Sequence, residues 1–345
     1  MKVGVCGHFG NGHDFFDGQT VKTKIVTSQL EKRFGVEHIV CVDTYGGTKK
    51  IFSHIFGIIK ILLKCEHIII LPAQNGLRVI APLLIFLNIS FKRNIYYDVI
   101  GGWLPDFVSK RKLLKEFLKK FDKIFVETKS MKKQLENQGF KNIDIIPNCK
   151  DLDVINEYEV KNTIGKPYKL CTFSRVMKEK GIEDAIQAVY TINSMWNDTY
   201  FELDIYGQVD NNQKQWFKEL QSKFPAYINY IGIVPFNQTT KVLKKYDALL
   251  FPTYYEGEGF AGTLIDSFAA GLPVIASDWK YNSEIIESGK TGVIFETHNV
   301  RELQNAIISI HRDLIKWNSM KKNCLREAKK YLPDNAMEKL INLVK

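Results

Sequence analysis

The sequence predicts an α/β protein built of two doubly wound, Rossmann-like domains facing a central cleft. Three observations carry that expectation. Short β-branched runs alternate with amphipathic stretches through the first 150 residues, a polar segment then breaks the rhythm, and the alternation restarts beyond it. A length of 345 residues suits two domains of ordinary size, and 45% hydrophobic with 25% charged residues is the composition of a soluble globular chain.

In order, the first-half strands are "KVGVCGHF", "HIVCVD", "HIIILP", "NIYYDVI", "KIFVET" and "IDIIPN", with helical patterns between them. The interruption is "NCKDLDVINEYEVKNTIGKPYK". After it come "LCTFSRV", "FELDIYG", "INYIGIV", "ALLFPTY", "PVIASD" and "GVIFE", and from "NVRELQNAII" the chain reads as helical to its end. The expected domains are 1–160 and 161–334, with a C-terminal helix of about 335–345 packing back on the first. Ligands of such sheets bind beyond the carboxyl ends of the strands.

The opening "MKVGVCGHFGNG" has no apolar run long enough for a signal peptide. The longest apolar regions are interrupted by His54, Lys60, Lys64, Glu66 and His67, or carry Arg78 and Pro82, so no membrane-spanning helix is expected and a cytoplasmic location follows. Six scattered cysteines without a C-x-x-C pair read as reduced thiols. Net charge is uneven: residues 1–150 hold 24 basic against 13 acidic residues, and residues 151–345 hold 24 against 25. That division suits an anionic partner for the first domain, or else a solvated lysine face.

Two segments carry chemistry. In "EGEGFAGTLIDSFAAGLPVIASD" a glycine loop with Glu258 leads into a helix that opens on Gly262, Thr263 and Leu264, whose backbone amides suit a phosphate, with Asp266 one turn in. The plain alternative is a first-turn acid complementing the helix dipole and a solvated loop glutamate. In "SRVMKEKGIEDAIQAV" a strand ends at Arg175 and Lys180 follows before a helix, two cations placed to grip phosphate oxygens or simply to be solvated.

The ordered set "SRVMKEKG", "DIYGQV", "YIGIVP" and "FPTYYEGEGFAGTLIDSFAAGLPVIASD", with "KKFDKIFVETKSMKKQLENQGFKNIDIIPNCKD" before it, resembles the retaining GT-B glycosyltransferases of glycosyltransferase family 4. The resemblance covers nearly the whole chain and is strongest from about residue 115 to residue 296. It implies that Arg175 and Lys180, matching an R-x4-K pattern, hold the donor diphosphate. Glu258, first acid of an E-x7-E pattern, would meet the donor sugar, and Asp266 the ribose. Gly207, Ile233 and Val234 would wrap phosphate and base, and Gly259, Phe260, Ala261, Gly262, Thr263 and Leu264 would line the donor. The donor implied is a nucleotide sugar, taken as a UDP-sugar, acting as co-substrate with no separate cofactor. The acceptor is a glycan or a lipid-linked molecule, and no nucleic acid is expected.

Three departures stand out. Asp266 replaces the usual glutamate, Cys149 stands where the interdomain "PNG" has glycine, and "NIYYDVIGGW" lacks the acceptor-domain histidine, leaving Asp98 or the turn Gly101-Gly102 in that region. Gly18, Gln19 and Lys22 are expected on the acceptor side. His8 and His13 are candidate bases or solvated loop residues. Gly10-x-Gly12 is a weak dinucleotide fingerprint, and "DLD" at Asp151–Asp153 sits in the linker, so no bound metal is expected. Rival readings are a non-catalytic sugar-nucleotide-binding subunit and a nucleotide-sugar epimerase. In "KKIFSHIFGIIKILLK" and "KRKLLKEFLKKFDK" lysines interleave with apolar residues, which suits the anionic inner face of a membrane, or packing on the sheet.

Overall fold

The computed structural model describes residues 2–10, 12, 18–46 and 51–345. It divides into two compact units, Met1–Asp151 with Tyr331–Lys345, and Leu152–Lys330.

The first unit holds six parallel strands: β1 (Val3–Gly7), β2 (Ile39–Asp43), β3 (His67–Ile70), β4 (Asn94–Asp98), β5 (Lys123–Val126) and β6 (Ile143–Ile145), in the order β2-β1-β3-β4-β5-β6. All six were expected from the sequence. Helices cover the sheet, so central strands are apolar on both faces, as in β1 with all five residues buried. The helix Gly18–Phe34 packs Val26 and Leu30 against Val3 and Val5. Ala336, Met337, Leu340 and Val344 from the end of the chain complete the same cluster.

The second unit holds β7 (Tyr168–Phe173), β8 (Phe201–Tyr206), β9 (Ile228–Gly232), β10 (Ala248–Phe251), β11 (Val274–Ser277) and β12 (Gly292–Phe295). Its order is β12-β11-β10-β7-β8-β9, again all parallel. Counted from β7, this is the 3-2-1-4-5-6 arrangement, with the reversal of strand order between β7 and β10.

The first division falls at 151/152, earlier than the expected 160/161. The polar segment is tied to the second unit: Ile155 donates its amide to the Ala269 carbonyl, Lys244 pairs with Glu159 at 3.1 Å, and the Thr163 hydroxyl donates to Asp247 at 2.6 Å. The second division falls at 330/331. Asp334 meets Lys32 at 3.0 Å and Lys339 meets Asp144 at 2.9 Å, both within the first unit.

One sequence expectation is corrected. Gln74–Phe91 forms a single 18-residue helix through Pro82, with one charge, and its mean hydropathy of 1.2 makes it long and apolar enough to cross a membrane by length and composition. Proline interrupts the backbone ladder at one position without ending a helix whose inward face, Leu77, Ile80, Ala81, Leu84 and Ile85, is held by packing.

Candidate active site

The strand-order reversal of the second unit brings together two segments far apart in sequence. Ser174–Lys180 leaves the end of β7, and Pro252–Ala261 leaves the end of β10. Between them lies one close ion pair: the Lys180 ammonium is 2.6 Å from Glu258 Oε2, with 12% and 7% of the two side chains exposed. The Thr253 hydroxyl, fully buried, donates to the same oxygen at 2.8 Å. Thr253 is itself fixed, because Ser277 at the end of β11 donates to its carbonyl at 2.6 Å. The Lys180 Nζ lies 4.8 Å from the Tyr255 ring centre, within cation–π range.

The two segments are also joined through their backbones. Tyr254 donates its amide to the Glu179 carbonyl at 2.8 Å. Gly181, at φ 69°, starts the helix Ile182–Trp196 so close to Pro252 that a Cβ there would lie 2.1 Å from the Pro252 carbonyl oxygen. Only glycine meets both requirements.

Arg175 is placed differently. It is 58% exposed, and its charged partner is Asp210, at 3.6 Å. Asp210 lies beyond β8, held by its amide on the Val176 carbonyl. Gly207, at φ 129°, approaches the same turn: a Cβ on it would stand 1.8 Å from the Ser174 carbonyl oxygen. Its amide donates to the Gly232 carbonyl at 2.8 Å, which puts Ile233 and Val234, at the end of β9, next in line. Ile233 is exposed and Val234 half-buried.

After Glu258 the chain runs through buried Gly259 and Phe260 and half-buried Ala261 into the helix Gly262–Ala269. Its N-cap residue, Ala261, has no side-chain group to cap it. The Leu264 amide, expected to face a ligand, instead donates to the Ala261 carbonyl at 3.1 Å, and the Leu264 side chain is fully buried. Gly262 and Thr263 remain as the amides that precede it, and the buried Thr263 hydroxyl has no hydrogen-bond partner among the described residues. Asp266 lies in the same helix, 4% exposed. Among the described residues no three His, Cys, Asp or Glu side chains are grouped to hold a metal, and Asp151 and Asp153 of "DLD" are exposed.

In the first unit Lys22 and Asp98 do meet, as a buried pair. The Lys22 ammonium is 2.9 Å from Asp98 and 3.6 Å from Glu127, with at most 3% of any of these side chains exposed, and it donates to the Val99 carbonyl at 3.1 Å. Burial alone would lower the Lys22 pKa, but the two carboxylates outweigh it and push it up to about 12. With two acids sharing one cation, burial dominates at Asp98 and raises its carboxyl above the usual range, Lys22 offsetting it in part. The expected reach of both groups toward an acceptor is thus corrected: each is sealed against the other because ends of β4 and β5 converge on the helix carrying Lys22. Cys149 lies beside this cluster, its thiol pushed up to about 12, chiefly by burial.

Gly18 opens the helix, and Gln19 donates to the Leu71 carbonyl at 3.1 Å. Gln19 also lines a cavity of about 420 Å³ with His8, His54, Asn75, Val79 and Leu83. His8 bonds Thr20 at 2.7 Å. The Gly101-Gly102 turn, with Gly101 at φ 84°, links β4 to the helix Leu104–Ser109. His13 and residues 14–17 of "DFFDGQTVKTK" lie outside the described residues.

Sequence reasoning missed Thr253, Ser277, Asp210 and Glu127. Thr253 lies five residues before Glu258 inside a quoted motif, but a threonine at a strand end carries no signal of its own until its partner is placed.

Comparison with known proteins decides the family. Residues 154–330 match the glycosyl transferases group 1 family, just over half of the chain and nearly all of the second unit. The chain belongs to that family. The poly(ribitol-phosphate) alpha-N-acetylglucosaminyltransferase of Staphylococcus aureus is 23% identical over 241 residues, 65% of this chain and 48% of that protein. The GtfA subunit of a Streptococcus agalactiae UDP-N-acetylglucosamine–peptide N-acetylglucosaminyltransferase is 34% identical over 130 residues, 37% of this chain and 24% of that subunit. The chain spans about half, or less, of the length of these two relatives. Among solved structures, Anabaena Alr3699/HepE in complex with UDP matches with a TM-score of 0.76 at 14% identity, covering 100% of this chain and 99% of that one. The lipopolysaccharide outer core galactosyltransferase WaaB gives 0.70 at 13% identity, with the same coverage. The fold of this group 1 chain is therefore the GT-B fold, as expected.

Proposed function

We propose that this chain is a retaining, metal-independent glycosyltransferase that moves a sugar from a UDP-sugar to a hydroxyl of a glycan or lipid-linked acceptor, in the cytoplasm. The observation that carries the reading is the Lys180–Glu258 pair, fixed by Thr253 where the strand order reverses and immediately ahead of the open helix end at Gly262 and Thr263. The UDP and UDP-glucose complexes of HepE, which shares this fold, support the choice of donor.

In this reading the bond from the anomeric carbon to the diphosphate breaks, and negative charge grows on the departing phosphate oxygen. Lys180 and Arg175 stabilise that charge together with the helix-end amides, so the cations belong to the chain itself. Lys180 remains tied to Glu258, which holds it at one place. Glu258 accepts hydrogen bonds from hydroxyls of the donor sugar, and Asp266 from those of the ribose. The acceptor oxygen bonds to the same face of the anomeric carbon, and its proton passes to the departing phosphate oxygen. No dedicated protein base is then required, which fits a chain whose Asp98 is buried against Lys22.

The test is thermal shift of the full chain with a panel of nucleoside diphosphates and nucleotide sugars, followed by NMR of the sugar released from the stabilising donor. Stabilisation by UDP and its sugars, release with retained anomeric configuration, and turnover unaffected by EDTA are expected. Absence of stabilisation by any nucleotide would overturn the reading.

A further inference from the structure

The helices Ile51–Lys64, Gln74–Phe91 and Lys112–Leu118 stand side by side in the first unit, the second packing against both others. Their inward residues serve the core: Ile58, Ile61 and Leu62 from the first, Leu77, Leu84 and Ile85 from the second. Their outward residues are apolar as well. Phe52, Phe56, Leu63, Phe86, Ile89 and Leu113 are each between 60% and 76% exposed. Helices that only cover a sheet need a single apolar face, and bulky aromatics grouped on the other side mark a surface that something else covers.

The charges on and beside this face are predominantly positive, with Glu66 an exposed acid just past the first helix. Residues 51–65 and 67–97 contain no Asp or Glu. Lys60, Lys64, Arg78, Lys92 and Lys112 are exposed on or beside the three helices, and the one acid of the third helix, Glu116, is paired with Lys119 at 2.9 Å. Apolar side chains rimmed by lysines, whose stems extend their charge to the headgroup level, match an anionic lipid surface in both of its layers.

The same two helices wall the cavity of about 420 Å³: His54, Ile55 and Ile58 line it from one, Asn75, Val79 and Leu83 from the other. Val79 is also 45% exposed. We propose that this three-helix face docks on an anionic bilayer and that the cavity between its first two helices receives an amphipathic acceptor from the membrane plane. The choice of acceptor rests on the glycosyltransferase reading; the docking does not.

Of the two segments expected to meet a membrane, the first supplies Phe52, Phe56 and Leu63. In the second, only Leu113 is an exposed large apolar residue. A further contribution, Phe86 and Ile89, comes from Gln74–Phe91, which sequence reading set aside.

The test is co-sedimentation of the full chain with phosphatidylglycerol-containing vesicles and with pure phosphatidylcholine vesicles, at low and high salt. It compares wild type, Phe56→Asp/Phe86→Asp and Lys60→Glu/Lys64→Glu, with melting curves and the UDP thermal shift recorded for each. The expected result is binding to the anionic vesicles alone, weakened about ten-fold or more by salt and by either double substitution, with folding and UDP response unchanged. Binding to neither vesicle, equal binding to both, or undiminished binding by the variants would overturn the docking. So would self-association of wild type without vesicles that Phe56→Asp/Phe86→Asp abolishes, since it would assign the face to a second copy. Vesicle binding without any nucleotide response would instead sink the catalytic reading and leave the docking standing.

Discussion

The two cations after β7 are expected to fail in different ways when removed, and the difference follows from their surroundings. Lys180→Ala deletes an ammonium 2.6 Å from Glu258 in a place where the two side chains are 12% and 7% exposed. The carboxylate left behind keeps the Thr253 hydroxyl but no counter-charge. Breaking a buried pair costs about 3 to 5 kcal/mol; the partial exposure, and water entering the space left by the lysine stem, bring the expectation to about 2 to 4 kcal/mol. Arg175→Ala removes a side chain 58% exposed and 3.6 Å from Asp210, an interaction worth about 0 to 1 kcal/mol. Both variants should lose about 2 to 4 kcal/mol of transition-state stabilisation, roughly 30- to 1000-fold in kcat/KM, if both cations meet the developing phosphate charge. The assay is UDP release from the stabilising UDP-sugar, run beside chemical denaturation of each variant. Lys180→Ala is expected to lose activity and stability together, and Arg175→Ala activity alone. Unchanged kcat/KM in either variant would remove that residue from the proposed chemistry. Equal stability of both variants would refute the reasoning from burial.

Glu258→Gln should reduce sugar transfer by about 100-fold or more, on the scale of a lost transition-state contact, while UDP affinity changes little; equal losses in both would assign Glu258 to the nucleotide or the fold. Gly207→Ala places a Cβ 1.8 Å from the Ser174 carbonyl oxygen at φ 129°, so it should displace the turn carrying Arg175, and wild-type turnover together with wild-type melting would show that the turn is not held there. Lys22 has its pKa raised from 10.5 to about 12 in the fold. A raised lysine pKa stabilises the fold fully below the unfolded value and loses that contribution as pH climbs through the folded one. Denaturation midpoints should therefore fall from about pH 10.5 to about pH 12, with a shallower fall in Lys22→Met, itself about 3 to 5 kcal/mol less stable at neutral pH. Identical pH slopes in the two proteins would exclude Lys22 as the group responsible.

The sequence by itself determined the strands, because their signal is local. A buried parallel strand such as "HIIILP" must be apolar on both faces, and this shows within five residues whatever its neighbours are. It also located the glycine loop ahead of the helix at Gly262 and the cations after β7, since chain breaks and charges at strand ends are visible one segment at a time. Partnership was decided only by the tertiary structure. Nothing near Lys180 in sequence names Glu258, 78 positions away; the pair exists because β7 and β10 adjoin where the strand order reverses. The same holds for Arg175 with Asp210, across the ends of β7 and β8, and for Lys22, whose positive charge looked available to a ligand until β4 and β5 brought Asp98 and Glu127 against it. Assignment of the linker behaved alike. Residues 152–160 are polar and read as a boundary, and the Ile155 and Glu159 contacts attach them to the second unit. The helix Gln74–Phe91 shows the limit from the other side: composition gave its apolar character, but which of its apolar residues face the core and which face outward depends on where the sheet lies, and only the folded chain supplies that direction.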